Sequence, residues 1–167
     1  MDLAEGGKSL RRTAVAFLLA AGIGGGVAGL AMAQPASAPR AAASGAGLTS
    51  TALTVRSSRY GRILFDGRGF ALYAFTRDPR GRSMCAGACA KEWPPFLVHG
   101  RPQVAPGLTA SLVGTTRRAD GSLQVTYAGR PLYYYRGDSK PGQIGCQNVR
   151  LFGGLWLVVQ PSGGLVR

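Results

Sequence analysis

Hydrophobic and polar residues alternate along short segments of this chain, and turn-forming residues separate the segments. The runs RILFD (62–66) and FALYAF (70–75) flank Asp66-Gly67, a dipeptide typical of β-hairpin turns. The same kind of short run, rich in β-branched and aromatic residues, recurs at SLQVTY (122–127), LYYYR (132–136) and LWLVVQ (155–160). Such short alternating segments predict β-strands.

A helix is expected at one place at most. No segment long enough for a helix shows a 3.6-residue period, and the best candidate is the short run CAGACAKEW at 85–93, which Pro94 and Pro95 end. The pattern therefore predicts an all-β protein with at most one short helical turn near Cys85–Trp93. We expect a compact sandwich or a partly closed barrel.

One sequence motif occurs twice, 60 residues apart: LYAFTRD at 72–78 and LYYYRGD at 132–138. Turn residues precede each copy, and a glycine follows each aspartate. The repetition predicts two duplicated hairpin-plus-loop units, at about 60–97 and about 115–160, packed on each other in a domain spanning 51–167. Two copies are too few for a solenoid or a propeller.

The motif residues have a structural interpretation and a catalytic one. Tyr73 and Phe75 share one strand face, as Tyr133 and Tyr135 do in the second copy, and such pairs usually build a core. Each aspartate begins a turn, DPRG at Asp78 and DSKPG at Asp138, so its carboxylate is expected to cap that turn. The alternative is a hydrolase-type enzyme that uses Asp78 and Asp138 as an acid/base pair.

The three cysteines, Cys85, Cys89 and Cys146, allow one intramolecular disulfide and leave one thiol over. The spacing leaves the connectivity open: Cys85–Cys89 would staple one loop, and a bridge to Cys146 would tie the copies together. A metal or redox accessory is the alternative, with the three cysteines and His99 as four ligands. We expect no cofactor.

The N-terminal residues have the composition of an export signal. Basic residues precede an uncharged run from Thr13 to Ala33, which ends in small residues, so 1–33 is predicted to be a signal peptide or, alternatively, an uncleaved membrane anchor. Residues 34–50 are rich in Ala, Pro, Ser and Gly and predict a flexible tether. The mature protein is therefore expected outside the cytoplasm, in the periplasm or beyond it.

Charge narrows the expected partners. The formal net charge is +13, carried mostly by scattered arginines. In an exported protein, this charge favours an anionic envelope polymer or lipid headgroups. Nucleic acid is not expected, because export removes the chain from the chromosome and no recognition motif is present. Further membrane contact is expected only through an uncleaved N-terminal segment.

The segments GRILFDGRGFALYAFTRD, CAGACAKEWPPF, ADGSLQVTYAGRPLYYYRGDSKPG and CQNVRLFGGLWLVV resemble a family of bacterial secreted repeats. Its members are often called predicted lipoproteins with a Y-x-[FWY]-x-x-D motif. The resemblance covers about 60–160 and implies an exported envelope protein built from two repeats. It also implies a possible link to hydrocarbon (alkane) catabolism. Many members carry a lipidated cysteine, which this chain lacks.

Together these observations predict an exported, non-catalytic protein of the cell envelope, which acts as a binding or structural module for an anionic component. The metal or redox accessory, the protein linked to alkane catabolism and the hydrolase-type enzyme remain the alternatives.

Overall fold

The structure, a computed structural model, describes residues 51–167. The predicted signal peptide or anchor (1–33) and the predicted tether (34–50) lie outside the described residues. None of the helices in the described part has the length and apolar character needed to cross a bilayer.

Residues 51–167 form short strands, one five-residue helix and a single 3-10 turn, which confirms the all-β prediction. Helix α1 (Ala88–Glu92) lies in the one segment where a helical turn was expected, and the 3-10 turn spans Ala110–Leu112. The strands are β1 (Ala52–Ser58), β2 (Gly61–Asp66), β3 (Tyr73–Phe75), β4 (Leu97–Val98), β5 (Gln103–Val104), β6 (Val113–Arg117), β7 (Leu123–Tyr127), β8 (Arg130–Pro131), β9 (Val149–Leu151) and β10 (Gly154–Val158).

The strands form three small sheets, and within the described residues they do not close into a barrel. One sheet has the order β2-β1-β5, the second β3-β10-β9 and the third β4-β7-β6, with β8 beside β7. All strand pairs are antiparallel except β1 with β5. The long hairpins β1–β2 and β6–β7 open the two repeats.

The two repeats follow the same backbone route and meet at their motif tyrosines. The Leu72 amide donates to the Leu64 carbonyl, and the Leu132 amide donates to the Val125 carbonyl in the same way. Tyr73 and Tyr133 then exchange both backbone hydrogen bonds, each with an N–O distance of 2.9 Å. This reciprocal antiparallel bridge relates the repeats by an approximate twofold axis.

The segment LYYYR was predicted to be a strand, but it forms only two isolated bridges at Tyr133, one to Tyr73 and one to Pro95. Its neighbour across the second bridge is the Pro94-Pro95 segment: the Tyr134 amide donates to the Pro94 carbonyl, and the Arg136 amide to the Glu92 carbonyl. Proline has no N–H to return. A regular ladder therefore cannot form there, although the backbone groups that can donate do so.

Alternation along the motif segments separates two hydrophobic cores. Tyr73, Phe75 and Tyr133 are buried in the first core, with Tyr135 packed against it. Leu72, Ala74 and Leu132 lie in the second core, with Tyr134 packed against it. The period-2 pattern thus fixes which side chains meet the partner repeat across the twofold axis.

Candidate functional site

The motif tyrosine of each repeat donates a hydrogen bond to the motif aspartate of the other repeat. The Tyr73 hydroxyl lies 2.6 Å from Oδ2 of Asp138, and the Tyr133 hydroxyl lies 2.6 Å from Oδ2 of Asp78. Burial raises the pKa of both tyrosines, and the facing carboxylates raise it further. The two phenols therefore stay protonated and act as donors.

The same two carboxylates also organise the loops that follow them. Asp78 Oδ1 accepts the Met84 amide at 2.7 Å, and Asp138 Oδ1 accepts the Gly145 amide at 2.8 Å. The amides are six and seven residues beyond the aspartates, so each carboxylate spans a longer loop than the tight turn suggested by the sequence. The motif thus ties one strand end to its own loop and to the other repeat.

An aromatic stack lies on the twofold axis between the repeats. The Trp93 and Trp156 rings are stacked with centroids 3.8 Å apart and planes 4° apart. Phe75 extends the stack beyond Trp156, with centroids 4.3 Å apart, and Tyr135 extends it beyond Trp93, at 4.8 Å. The four rings pack together between the two repeats.

A polar network surrounds the Tyr133–Asp78 pair. The Tyr133 hydroxyl lies 2.7 Å from Ser83 Oγ, and Arg118 donates to that Oγ at 2.8 Å and to Gln124 Oε1 at 2.7 Å. Burial raises the pKa of Asp78, while the Tyr133 and Met84 hydrogen bonds and the Arg118 charge offset part of that rise.

Apolar side chains take the places of these polar groups at the Tyr73–Asp138 pair. The backbone route places Ile63 where the second repeat has Gln124, and Ile144 precedes Gly145 as Ser83 precedes Met84. Both isoleucines belong to the core that holds Tyr73. Asp138 is 7% exposed. The two pairs are therefore alike in geometry and different in surroundings.

The three cysteines do not bridge the repeats. Cys85 and Cys89 form a disulfide, and Cys146 is a buried free thiol. Burial raises the pKa of Cys146 to about 11, and the Asp138 charge contributes to the rise. Cys85 directly follows Met84, and Cys146 directly follows Gly145, so they occupy equivalent positions.

The arrangement gives the four proposed metal ligands no common site. His99 is exposed beyond the end of β4, and the sulfurs of Cys85 and Cys89 are bonded to each other. Residues 51–167 contain no group of three or more His, Cys, Asp or Glu side chains placed to hold a metal ion. The suggested four-residue set is thus corrected to a disulfide, a buried thiol and a surface histidine.

One buried carboxylate was missed by the sequence reasoning. Asp66, read there only as a turn residue, is fully buried at the end of β2. It accepts the Arg68 and Phe70 amides, the Arg68 Nε at 2.8 Å and the Tyr134 hydroxyl at 3.1 Å. The hairpin turn predicted at Asp66-Gly67 implies that the carboxylate accepts nearby amides. Nothing in the local sequence predicts the contact with Tyr134, which is 68 residues away.

An open cleft of about 510 Å³ adjoins the Tyr73–Asp138 pair. Its walls are the end of the β1–β2 hairpin, with Arg56 and Arg59, and the loop from Gly137 to Gly145. Arg59 Nη2 donates to the Ile144 carbonyl at 3.0 Å, and the Arg56 guanidinium lies 5.9 Å from the Phe65 ring centroid. The two guanidinium groups are therefore held at the cleft while remaining exposed.

Comparison with known families assigns these repeats. Residues 54–96 and 114–160 match a family model described as a secreted repeat of unknown function, Lipoprotein_15. The two matches cover more than half of the chain. The chain belongs to this family.

Each matched segment of the secreted-repeat family contains one half of the contacts between the repeats. The first includes Tyr73, Asp78 and Trp93, and the second includes Tyr133, Asp138 and Trp156. The family description supports an exported protein and leaves its activity undefined. No curated protein matches the chain, and no solved structure matches it.

Proposed function

We propose that this secreted-repeat protein is a non-catalytic module of the cell envelope that binds a component bearing phosphate or carboxylate groups. The observation that supports this proposal is the distribution of charged side chains in the fold. Residues 51–167 hold 16 basic and five acidic side chains. Three of the five carboxylates, those of Asp66, Asp78 and Asp138, accept tyrosine hydroxyls from a distant part of the chain.

This internal use of carboxylates leaves the surface strongly cationic. Arg68 with Asp66 is the one ion pair in the described part of the chain. Only two acidic residues in 51–167, Glu92 and Asp120, do not pair with a tyrosine hydroxyl. The net charge over 51–167 is +11. A field of this sign and size attracts anionic polymers and headgroups, and it raises their rate of association.

The cleft beside the β1–β2 hairpin is the place where the field is best organised for binding. Arg56 and Arg59 face it with exposed guanidinium groups, each with donors suited to phosphate or carboxylate oxygens. Ser57 lies on the same wall, and the Ser58 hydroxyl beside it donates to the Gly61 carbonyl and accepts the Tyr60 amide. Asp138 also borders the cleft, but its oxygens already accept the Tyr73 hydroxyl and the Gly145 amide.

The hydrogen bonds that the motif aspartates already accept support a non-catalytic role. Asp78 and Asp138 each accept a tyrosine hydroxyl and a loop amide, and Asp138 is almost fully covered. A general acid or base must reach a substrate proton within about 3 Å. Carboxylates occupied in this way are better explained as connections between repeats.

The test is binding of residues 51–167 to three probes: inorganic phosphate, soluble polyphosphate, and vesicles containing 30% phosphatidylglycerol. We expect binding to polyphosphate or to the vesicles at 50 mM salt, and we expect it to weaken at 200 mM salt because the screening length shortens as ionic strength rises. Absence of binding to all three probes at 50 mM salt would refute the proposal.

A matched pair of double variants locates the site. Arg56→Gln with Arg59→Gln removes two charges at the cleft, and Arg101→Gln with Arg167→Gln removes two exposed charges elsewhere. We expect about 30-fold weaker binding for the first and a smaller loss for the second, since each basic group near an anionic surface contributes about 1 kcal/mol and every 1.4 kcal/mol is about tenfold. Equal losses would assign binding to the overall charge and not to the cleft.

A further inference from the structure

We propose that the β9–β10 hairpin inserts into the headgroup region of an anionic lipid bilayer. This inference rests on the proposed function and names its partner as a lipid surface. The hairpin joins β9 and β10 through the two-residue turn Phe152-Gly153 and lies at the edge of its sheet, because β9 pairs with β10 on one side alone.

Exposed apolar side chains are concentrated at this hairpin. Five large hydrophobic residues of the described chain are exposed, and three of them lie within four positions: Val149 (37%), Leu151 (41%) and Phe152 (38%). Scattered single hydrophobic residues are normal on a protein surface, whereas a contiguous group marks an interaction site. Every residue of β9 is exposed, so the whole strand is accessible to a partner.

The backbone at the tip favours a different residue from the one present. Phe152 has φ +52° and Gly153 has φ +80°, the combination of a tight hairpin turn. Asn, Asp or Gly is preferred at the first of these positions, and a bulky side chain there costs about 1–2 kcal/mol. A strained aromatic residue that is also partly exposed lowers the stability of the fold, which points to a use outside it.

Two arginines flank the apolar tip. Arg77 Nη1 donates to the Phe152 carbonyl at 3.0 Å, and a side-chain carbon at Gly153 would lie only 3.1 Å from the same nitrogen. Arg150 stands in the middle of β9 and is exposed, as Arg77 is. Aromatic and aliphatic side chains bordered by guanidinium groups match the boundary between acyl chains and anionic headgroups.

Charge complementarity favours a bilayer over a second copy of the chain. Antiparallel pairing of two β9 edges would set the two central Arg150 side chains against each other, within molecules that each carry +11 over residues 51–167. Like charges directly opposite each other in a sheet are destabilising. An anionic lipid surface satisfies the same arginines and accepts Leu151 and Phe152 in its interfacial layer.

Vesicle flotation with Phe152→Asn and with the double variant Leu151→Ser, Phe152→Asn tests the proposal. On vesicles of phosphatidylcholine with 30% phosphatidylglycerol, we expect about tenfold weaker binding for the single variant and a further loss for the double variant. Thermal stability should stay equal or rise in Phe152→Asn, because Asn tolerates the positive φ. Weaker binding together with unchanged or higher stability would show that a contact with the vesicle was lost, because misfolding would lower both.

Leu97→Ser is the matched control, since Leu97 is equally exposed (42%) and lies on β4. We expect it to bind vesicles as the unsubstituted chain does. The inference is overturned if Phe152→Asn binds vesicles normally, if Leu97→Ser loses as much, or if the hairpin variants change sedimentation by abolishing a dimer. Binding to polyphosphate without binding to vesicles refutes the hairpin inference alone, whereas binding to none of the three probes refutes the proposed function as well.

Discussion

The Tyr73–Asp138 and Tyr133–Asp78 pairs have the same hydroxyl–carboxylate distance, 2.6 Å, but opposite surroundings. Ile63 and Ile144 accompany the first pair in a buried core. Ser83, Arg118 and Gln124 form hydrogen bonds around the second pair. The two repeats contain the same tyrosine–aspartate hydrogen bond in different surroundings. We therefore expect the two pairs to contribute differently to the free energy of unfolding.

Removal of each motif hydroxyl should give the largest contrast. Tyr73→Phe leaves the Asp138 carboxylate buried with the Gly145 amide as its remaining donor, and we expect a loss of about 2–3 kcal/mol in the free energy of unfolding. Tyr133→Phe leaves a half-buried Asp78 that keeps the Met84 amide and the nearby Arg118 charge, so we expect about 1 kcal/mol.

Urea denaturation of both variants measures this contrast. Tyr60→Phe is the control, because it changes a half-buried tyrosine outside both pairs. Equal losses in Tyr73→Phe and Tyr133→Phe would show that the surroundings do not matter.

Double-mutant cycles should show that coupling runs between the repeats and not along the motif. We expect a coupling energy of about 1 kcal/mol between Tyr73→Phe and Asp138→Asn, which are in direct contact. Tyr73→Phe with Asp78→Asn, both in the first repeat, should be additive within about 0.5 kcal/mol. Coupling within one repeat and additivity across repeats would contradict the crossed pairing.

The pH dependence of stability should show the raised pKa of Asp78. Burial raises its pKa above the ordinary 3.8 in the folded chain, so the folded state holds the proton more tightly than the unfolded state does. The stability that this provides is fully present below the unfolded pKa and is lost as pH rises through the folded pKa.

Wild type should therefore gain stability relative to Asp78→Asn as the pH falls from 7 to below about 4. Urea denaturation of both proteins across that range measures the difference, and the carbon-13 shift of the Asp78 carboxyl gives its midpoint. A difference that stays constant or grows with pH would contradict the prediction.

The smallest expected effect concerns the two equivalent cysteine positions. Cys85 is bonded to Cys89, whereas Cys146 is a buried thiol whose pKa is raised to about 11. At pH 8 we expect Cys146 to react about 100-fold more slowly with a thiol reagent in the folded chain than in urea. Denaturation without reductant should expose one reactive thiol, and denaturation with reductant should expose three. Rapid labelling of the folded chain would contradict the burial of Cys146.

Sequence reasoning predicted the strands best where period-2 alternation and turn residues coincide. RILFD became most of β2, and the faces of Tyr73 and Leu72 separate two cores as alternation requires. It failed at LYYYR, because the neighbouring Pro94-Pro95 segment cannot return hydrogen bonds. It also missed Arg118 and Asp66 as network members, since their partners are far away in sequence.

The sequence by itself determined the duplication, the all-β class and the positions that face inward, because alternation, turn chemistry and repeat spacing are local properties. Only the tertiary structure decided which tyrosine meets which aspartate and which cysteines are bonded. The reason is geometric: antiparallel pairing of Tyr73 with Tyr133 points each side chain toward the loop of the opposite repeat. A motif that repeats in sequence thereby becomes two connections that cross in space.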